Sequence, residues 1–177
     1  MNEVVHDFAT SDNFDAATWW RDFYRATLTH YSGHEVISDR ALQRQGIDHK
    51  VLAGEAELLI DCKVRSRRYP DVLLEVWHNH DDGRRTKGWA RLPLRCHYLA
   101  YIYKSDACGL LISFHLMQRA LATHYDEWRA KATARRDGFR WVEARNTSYV
   151  TVSIAVPTDV LLAAMNEEVG FGLAEAA

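Results

Sequence analysis

Residues 56–65 read Ala-Glu-Leu-Leu-Ile-Asp-Cys-Lys-Val-Arg, and no other stretch limits the folds open to this chain as tightly. Along an extended strand, successive side chains point to opposite faces. Leu58, Ile60, Cys62 and Val64 then share one face, and Leu59, Asp61 and Lys63 share the other. The apolar set is the one that enters a core. An acid and a base are thereby held together on the opposite face. The Ala53-Gly54-Glu55 turn joins this strand to an earlier one over residues 47–52, so Asp48 arrives on the neighbouring strand of a hairpin.

The rest of the chain alternates between helical and extended periods. Trp20, Tyr24, Thr27, Leu28 and Tyr31 recur at three- and four-residue steps and predict a helix over residues 18–31. Asp15 or Thr18 would cap it and Ser32-Gly33 would end it. A bend at Tyr69-Pro70-Asp71 precedes a third strand over residues 71–78, with Leu73, Glu75 and Trp77 on one face and Val72, Leu74 and Val76 on the other. A polar turn follows over residues 79–83. Residues 89–103 read as mixed short strand and loop, and residues 108–113 as a short buried strand. Met117, Ala120, Leu121, His124 and Trp128 line one stripe of a helix over residues 114–132. After a basic turn at residues 135–138, residues 148–156 alternate as a strand. Pro157 then opens a last helix over residues 158–165. Residues 1–14 and 170–177 read as loose ends. This order predicts one α/β domain spanning residues 1–177, with a mixed central β-sheet flanked by helices.

The 177 residues suffice for one domain with a proper core. No apolar run approaches the roughly 20 residues of a membrane helix, so a membrane partner is not expected. The N-terminus lacks a basic start followed by an apolar stretch. Cys62, Cys96 and Cys108 are odd in number and lack CxxC spacing, which argues for a reducing compartment; the cytoplasm is expected. Net charge is −2, which excludes a uniformly basic nucleic-acid binder. The charge is uneven, however. Between Lys63 and Arg95 the basic residues Arg65, Arg67, Arg68, Arg84, Arg85, Lys87 and Arg91 outnumber the acids Asp71, Glu75, Asp81 and Asp82. Such a local excess can hold phosphates, although a solvated Arg-rich hairpin has the same composition.

Hydrolysis of a phosphodiester needs an activated water, a Lewis acid on the phosphate oxygens and help for the leaving oxygen. Mg²⁺ or Mn²⁺ supplies these when carboxylates hold it and leave positions open. Asp48, a hairpin, then Asp61-Cys62-Lys63 meets this requirement: two carboxylates on neighbouring strands, a main-chain carbonyl at Cys62 as a further oxygen ligand, and a lysine to orient the water and stabilise charge on phosphorus.

Gly46-Ile47-Asp48, followed by Ile60-Asp61-Cys62-Lys63, resembles the PD-(D/E)xK nuclease superfamily, the restriction-endonuclease-like fold. Asp39, Gln43, Val64-Arg65, Tyr69-Pro70-Asp71, Leu74-Glu75-Val76, Gly88-Trp89 and Cys96-x-Tyr98-Leu99-Ala100-Tyr101 extend the resemblance to a phage and mobile-element branch, over about residues 35–128. Ile47 stands where that signature has proline, and Asp61 where it has Asp or Glu. The resemblance implies a restriction-endonuclease-like core, metal binding by Asp48 and Asp61, and a catalytic role for Lys63. Glu75 is expected as a third acid or an outer partner of the metal. Glu35, near the end of the first helix, is a further candidate. Gln43 and Asp39 order the loop before Asp48 or touch phosphate. Gln43, Arg65, Arg67, Arg68, Arg84, Arg85 and Lys87 are expected on nucleic acid, DNA first and RNA as the alternative. Small nucleases of this fold often dimerise, so a homodimer is a fair expectation.

Plainer readings compete. Asp61 and Lys63 fit an exposed pair on an edge strand, which contributes little to stability. His78-Asn79-His80 offers two zinc ligands, short of a site. Cys96-His97 has no second half at metal spacing, and His124 fits a satisfied core histidine. Trp19, Trp20, Tyr98, Tyr101 and Tyr103 fit a core; Tyr69 and Trp89 are better placed to stack bases. A second class of function also fits the fold: a non-catalytic binding or inhibitory protein in phage–host conflict, or a subunit of a larger nucleic-acid-processing complex.

Overall fold

The structure, a computed structural model, describes residues 19–106 and 108–174, with side chains through Val169. Its elements form two compact units. One takes the described residues up to Arg68 together with Leu94–Phe114; the other takes Tyr69–Pro93 and the chain from His115 onward.

The first unit opens with α1 (Trp19–Thr27), whose Trp20, Phe23 and Tyr24 are buried. The predicted helix runs four residues further than the observed one. His30 adopts a left-handed φ of 60°, and Tyr31–Val36 continues as strand β1. Local periodicity through Tyr31 loses to long-range pairing: β1 runs antiparallel to β2 (His49–Ala53), with an irregularity between Tyr31 and Gly33. Glu35 therefore lies on a strand opposite Lys50, exposed, and not on a helix. A single turn, α2 (Arg40–Gln43), separates the two strands, and the Asp39 side chain caps it by accepting from the Ala41 N–H.

β3 (Ala56–Arg65) pairs antiparallel with β2. On its other side it pairs in parallel with β6 (Tyr98–Tyr103), which pairs antiparallel with β7 (Cys108–Ser113). The sheet order is β1-β2-β3-β6-β7. Ile60 and Cys62 join Trp20, Phe23, Tyr24, Val51, Ala100 and Ile102 in one core cluster, with Leu58 and Val64 packed against it. The apolar face read from alternation is thus the face that α1 covers. The opposite face is not a solvent face: Leu99 and Tyr101, register partners of Asp61 and Lys63, are at most 1% exposed.

The second unit holds a four-stranded antiparallel sheet, ordered β5-β4-β9-β8. Its strands are β4 (Asp71–His80), β5 (Arg85–Lys87), β8 (Arg140–Arg145) and β9 (Tyr149–Pro157). The molecule is mixed α/β, but its strands divide between two sheets where one central sheet was expected. Sequence periodicity identifies a strand without identifying its neighbour, and β4 pairs with β9, about seventy residues away. Sequence periodicity assigns no element to β5 or β8: Arg85-Thr86-Lys87 is short and polar, and Arg140–Arg145 mixes polar and apolar residues without a clean alternation. An edge strand needs only one satisfied side. Between Glu75 and Trp77 the β4–β9 register slips by one residue, a bulge. The unit also holds most of α3 (Phe114–Ala134), which buries Met117, Ala120, Leu121, Trp128 and Ala132. The last helix, α4 (Thr158–Ala174), is longer than the predicted 158–165. The readings of residues 1–14, Asp15, Thr18 and 175–177 fall outside the described residues. Among the described residues, no helix is long and apolar enough to cross a membrane.

Candidate active site

Asp48 sits immediately before β2, where the chain changes direction. Gly46, at φ +77°, makes the reversal, and Leu94 packs so close that a Cβ on Gly46 would meet its side chain at 3.0 Å. The backbone is then locked on both sides. Asp48 N donates to Ile60 O (2.9 Å), and Ile37 N donates to Asp48 O (2.7 Å). Gln43 reinforces the approach by donating its side-chain amide to Ile37 O at 2.8 Å. Arg95 pins the same loop from the β6 side, donating from Nη1 to Gln45 Oε1 at 2.9 Å and from its backbone to Gln45 O at 2.8 Å.

Asp61 and Lys63 stand on β3 beside this point. Asp61 is 2% exposed. Lys63 Nζ donates to Asp61 Oδ1 at 2.7 Å. Asp61 Oδ2 is buried and receives no hydrogen bond from any N–H or hydroxyl; the Asp48 carboxyl lies against Asp61 and bonds to it when protonated. Cys62 links the strands through its main chain, donating its N–H to Asp48 Oδ2 at 2.7 Å. In a strand, the N–H and C=O of one residue leave on the same edge, so the Cys62 carbonyl also faces the Asp48 side. Its thiol belongs to the core on the other face, 4.0 Å from the Tyr24 hydroxyl.

The electrostatics follow from this crowding. Burial first, then the Asp61 charge, pushes the Asp48 carboxyl up to about 7, against the lowering effects of Lys63 and the Cys62 N–H. Burial alone would lower the Lys63 ammonium, but the Asp61 and Asp48 charges outweigh it and hold Lys63 above its ordinary value. Cys96 is a neighbour that the sequence did not assign. It is fully buried, and burial followed by the Asp61 charge pushes its thiol up to about 12. It stays protonated in a carboxylate-rich pocket. Nothing in its spacing, 35 positions beyond Asp61, could have linked it to the pair.

The structure thus brings together Asp48, Asp61, Lys63 and the Cys62 main chain. The remaining expected residues lie elsewhere. Glu75 belongs to the second unit, its Oε1 2.6 Å from His78 Nε2. The bulge after Glu75 shifts the alternation by one and lets these two side chains meet. Arg65 is 7% exposed, a buried residue and not an open phosphate contact. Arg67 and Arg68 are exposed, with Arg68 3.8 Å from the Asp106 carboxylate. Arg84 is held by Asp82 (2.7 Å), and Arg85 lies over the Trp77 ring. Lys87 is exposed beside it in sequence. His124 is not a core histidine: it is partly exposed, stacked on Trp128 and within 3.6 Å of Glu127 and Glu167 carboxylates.

Comparison with protein-family models, curated proteins and solved structures returns no match. Among the described residues, no group of three or more His, Cys, Asp and Glu side chains is arranged to hold a metal ion. A metal at this centre would therefore rest on two carboxylates and the backbone, as hard oxygen-binding cations such as Mg²⁺ accept when water or phosphate completes their shell. The donor set fits such a cation. Asp61 Oδ2 receives no hydrogen bond from any N–H or hydroxyl, and burial followed by the Asp61 charge keeps the adjacent Asp48 carboxyl partly protonated near neutrality, where it bonds to Asp61 in the place a cation would take.

Proposed function

We propose that this protein is a metal-dependent nuclease with a restriction-endonuclease-like core, hydrolysing phosphodiester bonds in DNA. Asp48, Asp61 and the Cys62 carbonyl would hold Mg²⁺ or Mn²⁺, which when bound polarises phosphate oxygens and acidifies water. The observation that carries this reading is the pair of carboxyls, buried Asp61 and half-buried Asp48, set against each other beside a lysine that bonds to only one Asp61 oxygen. A purely structural Asp–Lys pair has no need of a second buried acid, because like charges at close range raise the cost of the fold.

The chain's own groups divide the remaining work. Both carboxylates keep Lys63 charged, so it suits charge stabilisation on phosphorus and orientation of a water better than proton abstraction. The Cys62 N–H fixes one Asp48 oxygen and leaves the carboxyl directed at Asp61. The restriction-endonuclease-like reading draws support from the strand order. The acid precedes β2, the Asp-x-Lys pair lies on β3, and β3 has a parallel partner reached by a long crossover.

The test is cleavage of labelled single-stranded, duplex and branched DNA, and of RNA, by purified protein with Mg²⁺ or Mn²⁺. Asp61→Asn and Lys63→Met are expected to lower the rate by about 10²-fold or more, as loss of a transition-state contact does. No cleavage of any of these substrates under either metal would sink the proposal.

A further inference from the structure

On the four-stranded sheet of the second unit, two guanidinium groups lie against one indole. The Arg85 guanidinium carbon is 4.1 Å from the Trp77 ring centroid, and that of Arg91 is 4.0 Å from it. Arg91 also lies 4.8 Å from the Tyr125 ring centroid. Trp77 is fixed in turn, donating its Nε1–H to the Tyr125 hydroxyl at 2.9 Å. Lys87 is the register partner of Trp77, so its side chain leaves the same face of the sheet.

This arrangement gathers three cations, and among the described residues none of them forms an ion pair with an acid. The nearby carboxylates are engaged elsewhere: Asp82 with Arg84, Asp81 with Arg145, and Glu75 with His78. Stacking occupies the flat face of a guanidinium and leaves its N–H edge available. In Arg91, which is half-buried, Nη1 is enclosed and makes no hydrogen bond, so a ligand would meet the rest of the fork. Trp77, with both guanidinium groups against its ring, is not a platform for a base. It is a scaffold that holds two forks in place, and a planar fork matches phosphate oxygens in pairs.

We propose that Trp77 organises Arg85 and Arg91, with Lys87 beside them, into a binding site for the phosphodiester backbone of a nucleic acid. The site grips charge and reads no sequence. It takes from the proposed function only that the ligand is a nucleic acid; it requires neither the metal nor the carboxylate pair.

The experiment measures binding of the full chain to a labelled DNA oligonucleotide, single-stranded and then duplex, across a range of NaCl. A chelator is present throughout, so cleavage plays no part. Arg85→Gln/Arg91→Gln is expected to weaken binding about tenfold or more. It should also flatten the dependence of log affinity on log salt by about the share of two phosphate contacts. Trp77→Leu keeps every charge and is expected to weaken binding severalfold, which a merely electrostatic patch would not show. Inorganic phosphate as competitor separates the sources: displacement of the oligonucleotide only at high concentration supports a backbone site. Displacement at stoichiometric concentration, or unchanged affinity and salt slope in both variants, overturns the proposal. Should the double variant fail to fold, Arg85→Gln alone, at an exposed position, gives the same readout with half the change in slope. A protein that binds but never cuts would refute the nuclease reading and leave this one standing.

Discussion

Asp48 shows how much chemistry one residue's surroundings can impose. Its carboxyl, ordinarily at 3.8, sits at about 7 in the folded chain because it is buried beside Asp61. The folded state therefore holds a proton that the unfolded state releases between about pH 4 and pH 7. The stability this contributes is full below the unfolded value and is lost as pH rises through the folded one. The metal-free protein should melt at a lower temperature at pH 8 than at pH 5. Asp48→Asn, which keeps an oxygen for the Cys62 N–H and cannot ionise, should flatten that difference and exceed the wild type at pH 8. Added Mg²⁺ should restore the wild type at pH 8 and leave Asp48→Asn unmoved. Thermal melts at both pH values with and without metal make the check, and equal pH dependence in both proteins would remove Asp48 as its source. At this scale the sequence was legible for Asp48, Asp61 and Lys63, since a two-residue period puts Asp61 and Lys63 on one face. It was silent on Cys96, which approaches through a parallel strand pairing that leaves no local trace.

At the scale of elements, the site depends on the short path from α2 to β2. The left-handed Gly46 turns the chain so that Asp48 N can reach Ile60 O, and Leu94 fills the space a side chain would need. Gly46→Ala should destabilise the protein by about 1–2 kcal/mol from the left-handed conformation alone. Crowding against Leu94 adds to that cost. Because Asp48 lies two residues on, any cleavage activity should fall by more than the loss of folded protein explains. Urea unfolding and the specific activity of the folded fraction test both parts; wild-type stability would show that the turn tolerates a side chain. The element reading from sequence held best where an apolar period ran long, as in β3 and α3. It failed at β1, where Tyr31 was the last residue of the helical pattern and Ser32–Val36 were given no strand, yet the stretch pairs with β2. It left β5 and β8 without an assignment, since a three-residue polar strand and the mixed Arg140–Arg145 segment carry no clean period at a sheet edge.

At the scale of the whole molecule, the five-stranded unit is assembled from two stretches of chain separated by residues 69–93. β3 is a central strand only because β6 pairs along it, bringing the buried Leu99, Ala100, Tyr101 and Ile102. A chain ended after Pro93 retains both acids and Lys63 but lacks β6 and β7. It should show no cooperative urea transition and no near-ultraviolet circular dichroism, while the full chain shows both; a cooperative transition in the fragment would mean that α1 to β3 is self-sufficient.

The sequence by itself determined which residues share a face: Leu58, Ile60, Cys62 and Val64 toward the core, Asp61 and Lys63 away from it, with Asp48 one hairpin back. That follows from backbone geometry, which repeats every two residues whatever surrounds the strand. Only the tertiary structure decided that the Asp61 face is also buried, that the strands part into two sheets, that Glu75 meets His78, and that Arg85 and Arg91 close on one indole. Those outcomes depend on pairing between residues far apart in the chain, and the energy that selects one partner strand over another is not written in the period of either.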